Sequence, residues 1–114
     1  MKKQIITGML VAFSSTALLI PSAYAAADAA AAEALAKANK CLKCHAVEKD
    51  KTGPSYKKIA AKYKGKADAE EKVITSITTG PKVKLDDGSE EKHKIIDTKD
   101  TKELKNLADW ILSQ

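Results

Sequence analysis

Both cysteines of the chain fall within one short stretch and are followed at once by one of its two histidines: Cys41-Leu42-Lys43-Cys44-His45. Two thiols and an imidazole packed this closely constrain the fold more than any other feature, because each reading demands different surroundings. A redox disulfide of the thioredoxin kind goes with alternating strands and helices. Half of a zinc site needs further ligands to reach four, and one C-x-x-C with two His would supply them. A plain disulfide here closes a very short loop and gains little entropy. With His directly after the second Cys, the spacing matches the attachment signature of c-type haem. Two thiols separated by two residues lie on one side of a helical turn, where each can reach one haem vinyl. The next residue then offers an imidazole nitrogen to the iron.

The start of the chain bears on that choice. Met1-Lys2-Lys3 is basic, an apolar run extends from Ile5 to Ile20, and Pro21-Ser22 lead into Ala23-Tyr24-Ala25. That is the order of a secretory signal peptide ending in an A-x-A cleavage site. The rival is a retained membrane anchor, for which the run is a little short. The expected organisation is a cleaved signal at 1–25 and one small domain at 26–114. The domain is then exported, most simply to a bacterial periplasm, with no membrane insertion after cleavage. Covalent haem attachment of this type takes place outside the bacterial cytoplasm.

Phe13 and Tyr24 leave with the signal, so Tyr56, Tyr63 and Trp110 are the aromatics that remain. A domain this small struggles to bury enough surface from side chains alone. A haem is itself a large, flat apolar core. Every basic residue is Lys, and losing Lys2 and Lys3 takes the formal charge from +5 to +3. Without Arg the chain lacks the usual bidentate reader of bases, and the compartment is wrong, so no nucleic-acid partner is expected. Lysines such as Lys43, Lys57, Lys58, Lys82 and Lys92 can steer an acidic partner. Ordinary solubility accounts for a charge of this size equally well.

The domain reads as all-α. Ala, Glu, Lys and Leu from Ala26 to about Leu42 are strong helix formers. Pro54 suits the first turn of a second helix carrying Tyr56, Ile59, Ala60 and Tyr63 on one face, stopped by Gly65. Asp68 and Glu71 form a potential capping box for a third helix with Val73, Ile74 and Ile77, ended by Gly80-Pro81. A polar loop from Lys82 to about Lys99 has a hairpin signal at Asp87-Gly88. Asp100 and Glu103 form a second box, before a helix with Leu104, Leu107, Ala108 and Ile111 on one face and Trp110 beside it.

Over nearly all of this domain the sequence resembles the small class I c-type cytochromes of the bacterial c551/c552 kind. "KCLKCHAVEKDKTGPSYKKIAAKYKGK" is similar to their haem-binding segment and "TKELKNLADWILSQ" to their closing helix. The resemblance implies the class I cytochrome c fold: about four helices wrapped around one covalent haem c, with the first and last helices crossing. It places Leu35 and Ala38 near the Leu107, Trp110 and Ile111 face. It implies thioethers at Cys41 and Cys44, His45 as proximal iron ligand, and a carbonyl at Pro54 accepting from the His45 imidazole. Such a bond orients a ligating His and raises its basicity.

One departure is informative. The family's sixth ligand is usually a Met before the last helix, but Met1 and Met9 both belong to the signal. The family's Met position falls near His93 or Lys94, and His93 is expected to be the distal ligand. Lys94, Lys92, Lys84 or an open, water-filled position are the alternatives. A lysine must first lose a proton whose reference pKa is about 10.4. The function expected is single-electron transfer rather than catalysis, between redox proteins such as other cytochromes. Docking would be transient at the haem edge, by a monomer. The likeness extends to monohaem periplasmic cytochromes of extracellular iron-oxidation systems. A ligand-binding or gas-sensing haem protein is the alternative, and it requires a vacant or displaceable sixth position.

Overall fold

The computed structural model describes Ala27–Gln114, so the expected signal at 1–25 lies outside the described residues. Four helices and one hairpin follow in order: α1 (Ala29–Ala38), a 3-10 turn (Cys41–Lys43), α2 (Tyr56–Tyr63), α3 (Ala69–Thr79), β1 (Lys82–Lys84), β2 (Glu90–Lys92) and α4 (Thr101–Leu112). The all-α expectation holds, with the hairpin signalled by Asp87-Gly88 also formed. β1 and β2 pair antiparallel, Lys82 with Lys92 and Lys84 with Glu90.

α4 is the element against which the other three helices pack. Asp100 starts it by accepting from the backbone N–H of Lys102 at 2.8 Å, which satisfies a donor the first turn leaves free. Leu104, Leu107, Ala108, Trp110 and Ile111 are all buried along it. Full burial of a side chain like Leu107, 1% exposed, contributes about 1.5–3 kcal/mol relative to leaving it in water. α1 meets this face through Ala32 and Ala36, both 0% exposed. Side chains this small let the two helices approach closely. The far end of the crossing is tied by Asn106, which accepts from the Asp28 N–H at 2.7 Å and donates to the Asp28 carbonyl at 2.9 Å.

Several local expectations are corrected. α1 stops at Ala38 rather than continuing to Leu42, because Asn39 caps it and Lys40 takes a left-handed conformation. Its buried face is Ala32, Ala36 and Asn39, with Leu35 half-buried, while Ala38 points to solvent. Pro54 lies just before the second helix; Ser55 is the cap, accepting from Lys58 N–H at 3.1 Å. The Asp68 box does not form, since Asp68 is not in the extended conformation and its carboxylate pairs with Lys72 instead. At Asp100 only half the box forms, because the Glu103 carboxylate accepts from Thr98.

Candidate haem site

The site grows from the way α1 ends. After the Asn39 cap, Lys40 at φ +60° reverses the chain, and Cys41 begins a tight turn. The Cys41 carbonyl accepts from Cys44 N–H at 3.2 Å and His45 N–H at 3.0 Å. Cys41 is half-buried and Cys44 exposed, with no disulfide between them. Burial pushes the Cys41 thiol above its ordinary value, a backbone hydrogen bond and Lys94 opposing.

The loop after His45 is laced by its backbone. Gly53 N–H donates to the Cys44 carbonyl at 2.8 Å, Tyr56 N–H to Ala46 at 2.9 Å, and Lys57 N–H to Val47 at 3.0 Å. Asp50 accepts from Ser55 N–H at 2.8 Å and from the Lys58 ammonium at 2.8 Å. These bonds hold Gly53 and Pro54 against the His45 imidazole. Nδ1 of His45 lies 2.6 Å from the Pro54 carbonyl oxygen. A carbonyl can only accept, so this contact assigns the proton to Nδ1 and leaves Nε2 with a free lone pair. Burial holds the His45 pKa below its ordinary value; the Pro54 bond opposes this and nearby His93 adds to it. The neutral imidazole that ligates a metal is the favoured form.

On the other side of the ring, Tyr56 stacks on His45 with centroids 5.4 Å apart and planes 17° apart. Tyr56 in turn meets Trp110 edge-on at 5.4 Å and 71°. An aromatic chain thus fixes the His45 imidazole against α4. Burial raises the Tyr56 phenol well above its ordinary range, with Cys41 adding to the effect, so it stays neutral.

His93 follows β2 and is half-buried, whereas Lys84, Lys92 and Lys94 are exposed. Its N–H donates to the Pro81 carbonyl at 2.8 Å, and the next core residue, Ile96, donates to the Ile77 carbonyl at 2.8 Å. Gly80, at φ +61°, permits this close approach: a β-carbon there would stand 2.8 Å from the His93 carbonyl oxygen. Nδ1 of His93 lies 2.9 Å from the Lys94 carbonyl oxygen, which again leaves Nε2 as the free nitrogen.

The two imidazole centroids are 6.1 Å apart, with planes tilted by 42°. A metal–imidazole bond is about 2 Å long and the ring centre lies about 1 Å behind the nitrogen, so two rings sharing one metal sit about 6 Å apart. That separation would suit one metal ion held by both rings. Residues 29–114 match the Cytochrome c family model. The chain belongs to the cytochrome c family.

Its similarities within that family run the length of the domain. It is 39% identical to cytochrome c-552 of Nitrosomonas europaea over 94% of this chain and 96% of that one. To cytochrome c-551 of Pseudomonas aeruginosa it is 34% identical over 72% and 75%. Among solved structures it superposes on the class 1 cytochrome MtoD of Sideroxydans lithotrophicus ES-1 with a TM-score of 0.74. The identity is 57%, over 77% of this chain and 97% of that one. The TM-score with wild-type Nitrosomonas europaea cytochrome c552 is 0.59 at 36% identity, over 71% and 96%. The class I fold is thereby established, and with it the family's single covalent haem c and its role in carrying electrons between redox partners.

The structure brings together Cys41, Cys44, His45 and Pro54 locally and His93 from across the chain. Gly53 and Tyr56 fall within the segment whose likeness to a haem-binding stretch the sequence shows, but their contacts with the His45 ring were not legible there. Gly80 was read only as a helix end, and nothing local marked Asn39.

Proposed function

We propose that this cytochrome is a periplasmic single-electron shuttle whose haem iron is held between His45 and His93. The observation that carries the reading is the pair of imidazoles 6.1 Å apart, each with Nδ1 against a backbone carbonyl. Both rings thus offer Nε2, the same nitrogen, as ligand. Cys41 and Cys44 supply the thioethers, each thiol adding across one vinyl group. Pro54 orients His45 and strengthens it as a donor. The haem, when bound, supplies one iron-centred redox couple.

The chain's own part is to hold both ligands still. Tyr56 and Gly53 confine the His45 ring, and the bonds to Pro81 and Ile77 hold the segment that carries His93. Two fixed nitrogen ligands keep reorganisation small and leave no vacant position. They also lower the potential relative to Met/His cytochromes, in which thioether ligation raises it. The half-burial of His93 and its backbone anchors support this over the gas-sensing alternative.

Delivery to the periplasm follows cleavage after Ala25, leaving 26–114 as the working domain. Among the described residues no helix is long and apolar enough to cross a membrane. We assign the carrier as a monomer that docks briefly on other redox proteins, cytochromes among them. Small, transient interfaces suit such encounters. Its likeness to monohaem periplasmic cytochromes of extracellular iron-oxidation systems supports a place for it in such a system.

Low-temperature EPR of the ferric holoprotein tests the ligation, with wild type and His93→Ala side by side. The expected result is a low-spin wild type that becomes high-spin on substitution. A high-spin wild type, or a low-spin signal indifferent to the change, removes His93 from the iron and brings the ligand-binding reading forward.

A further inference from the structure

Asn39 is 3% exposed, and its side chain makes two bonds. Nδ2 donates to the Leu35 carbonyl within α1 at 3.1 Å, and Oδ1 accepts from the Asp97 N–H at 2.9 Å. The partners assign the amide's orientation, since a carbonyl must accept and an N–H must donate. The first bond reinforces the end of α1, where the Leu35 carbonyl also accepts from the Asn39 backbone N–H at 3.1 Å. The second reaches 58 residues along the chain.

The place of that second bond matters. Asn39 stands two residues before Cys41, and Asp97 four residues after His93. The other backbone anchors of the distal segment, His93 to Pro81 and Ile96 to Ile77, tie it to α3 and the residues just after it. Asn39 ties it to the part of the chain that carries the cysteines. A helix cap needs only the bond to Leu35; the bond to Asp97 is surplus to capping.

Resting on the bis-histidine reading, we propose that Asn39 is a positioning residue for the distal ligand. It clamps the His93 segment to the cysteine-bearing turn and so sets how readily His93 leaves the iron. Removing the carboxamide leaves the Asp97 N–H without its partner, and a partly buried donor left unpaired is costly. The segment then opens more often, while the histidine itself is unchanged.

The test is the rate at which cyanide displaces the distal ligand of the ferric holoprotein. Three proteins are compared: wild type, Asn39→Ala and Asn106→Ala. The last removes the two bonds that pin the opposite end of the same helix, and so controls for general loosening of α1. Asn39→Ala should accelerate displacement about ten-fold or more, which converts to about 1.4 kcal/mol. Asn106→Ala should stay within about two-fold. No acceleration by Asn39→Ala, or equal acceleration by both variants, overturns the proposal while the wild-type low-spin signal keeps the ligation intact. A high-spin wild type overturns the ligation itself. Should Asn39→Ala fail to take up haem, hydrogen exchange in the unsubstituted ferric protein decides. The Asp97 amide is expected to be protected, and exchange at the unstructured rate overturns the clamp.

Discussion

A methyl group on Gly53 would stand 2.9 Å from Cε1 of His45, 3.3 Å from its Nδ1 and 3.3 Å from the Cys44 carbonyl oxygen. Ordinary carbon contact begins near 3.4 Å, so the ring and the backbone must separate by about half an ångström. The backbone has little room to retreat. Gly53 N–H is bonded to Cys44 at 2.8 Å, and its carbonyl accepts from Lys51 N–H at 2.9 Å. The ring is held on its other side by Tyr56 and at its edge by Pro54. Gly53→Ala therefore forces the imidazole to turn, stretching the 2.6 Å bond to Pro54.

Overpacking of this kind costs about 1–3 kcal/mol. For a domain of this size each kcal/mol lowers Tm by about 4–8 °C, so a mid-range cost corresponds to about 8–16 °C. The assay is thermal unfolding of the ferric holoprotein followed by haem absorbance, with a redox titration beside it. With His45 ligating the iron as proposed, a weaker Pro54 bond makes it a poorer donor, stabilises the ferric state less, and moves the potential upward. A Tm within about 2 °C of wild type together with an unchanged potential would refute the claim that Gly53 confines the ring.

Two further outcomes follow from the same region. Lys40 pays about 1–2 kcal/mol for its left-handed conformation, and glycine returns part of that in backbone entropy, so Lys40→Gly should raise Tm by a few degrees. Chemical denaturation checks it, and a lower midpoint would show that the Lys40 side chain contributes something else. Asp50 is held below its ordinary 3.8 by the Lys58 hydrogen bond first and Ser55 second. Its folded pKa is depressed, so its contribution is present above the unfolded value and is lost as pH falls through the folded one. An NMR titration should give an Asp50 midpoint below 3.8, with the Ser55 amide following the same curve. A midpoint at or above that value contradicts the pairing.

The legible part of this protein was written in local patterns. C-x-x-C-H sets two thiols and an imidazole within five residues, and no tertiary information is needed to see what they suit. The α4 stripe of Leu104, Leu107, Ala108 and Ile111 likewise announces a buried face through its spacing alone. Boundaries were less legible. The buried phase of α1 passes through Ala36 rather than Ala38, because Asp28 starts the helix and Asn39 ends it. An alanine-rich segment carries no contrast from which to read that phase. The Asp68 box failed for a related reason: spacing signals capacity, while the backbone angles at the cap decide whether the carboxylate turns inward or toward Lys72.

The His93 half of the site depended on the fold. From its surroundings His93 is one polar residue among lysines and glutamates. It meets His45 only because Pro81, Ile77 and Asn39 hold its segment in place, through bonds to partners far away in sequence. Gly53 and Tyr56 acquire their roles in the same way, by lying against a ring whose position depends on the loop closing around it. By itself the sequence determined the chemistry available, namely two thiols, two imidazoles, one amphipathic closing helix and too few aromatics for an unaided core. Which atoms stand 6.1 Å apart was decided only in three dimensions. A spacing of that kind is a property of converging backbone segments, and no single segment carries it.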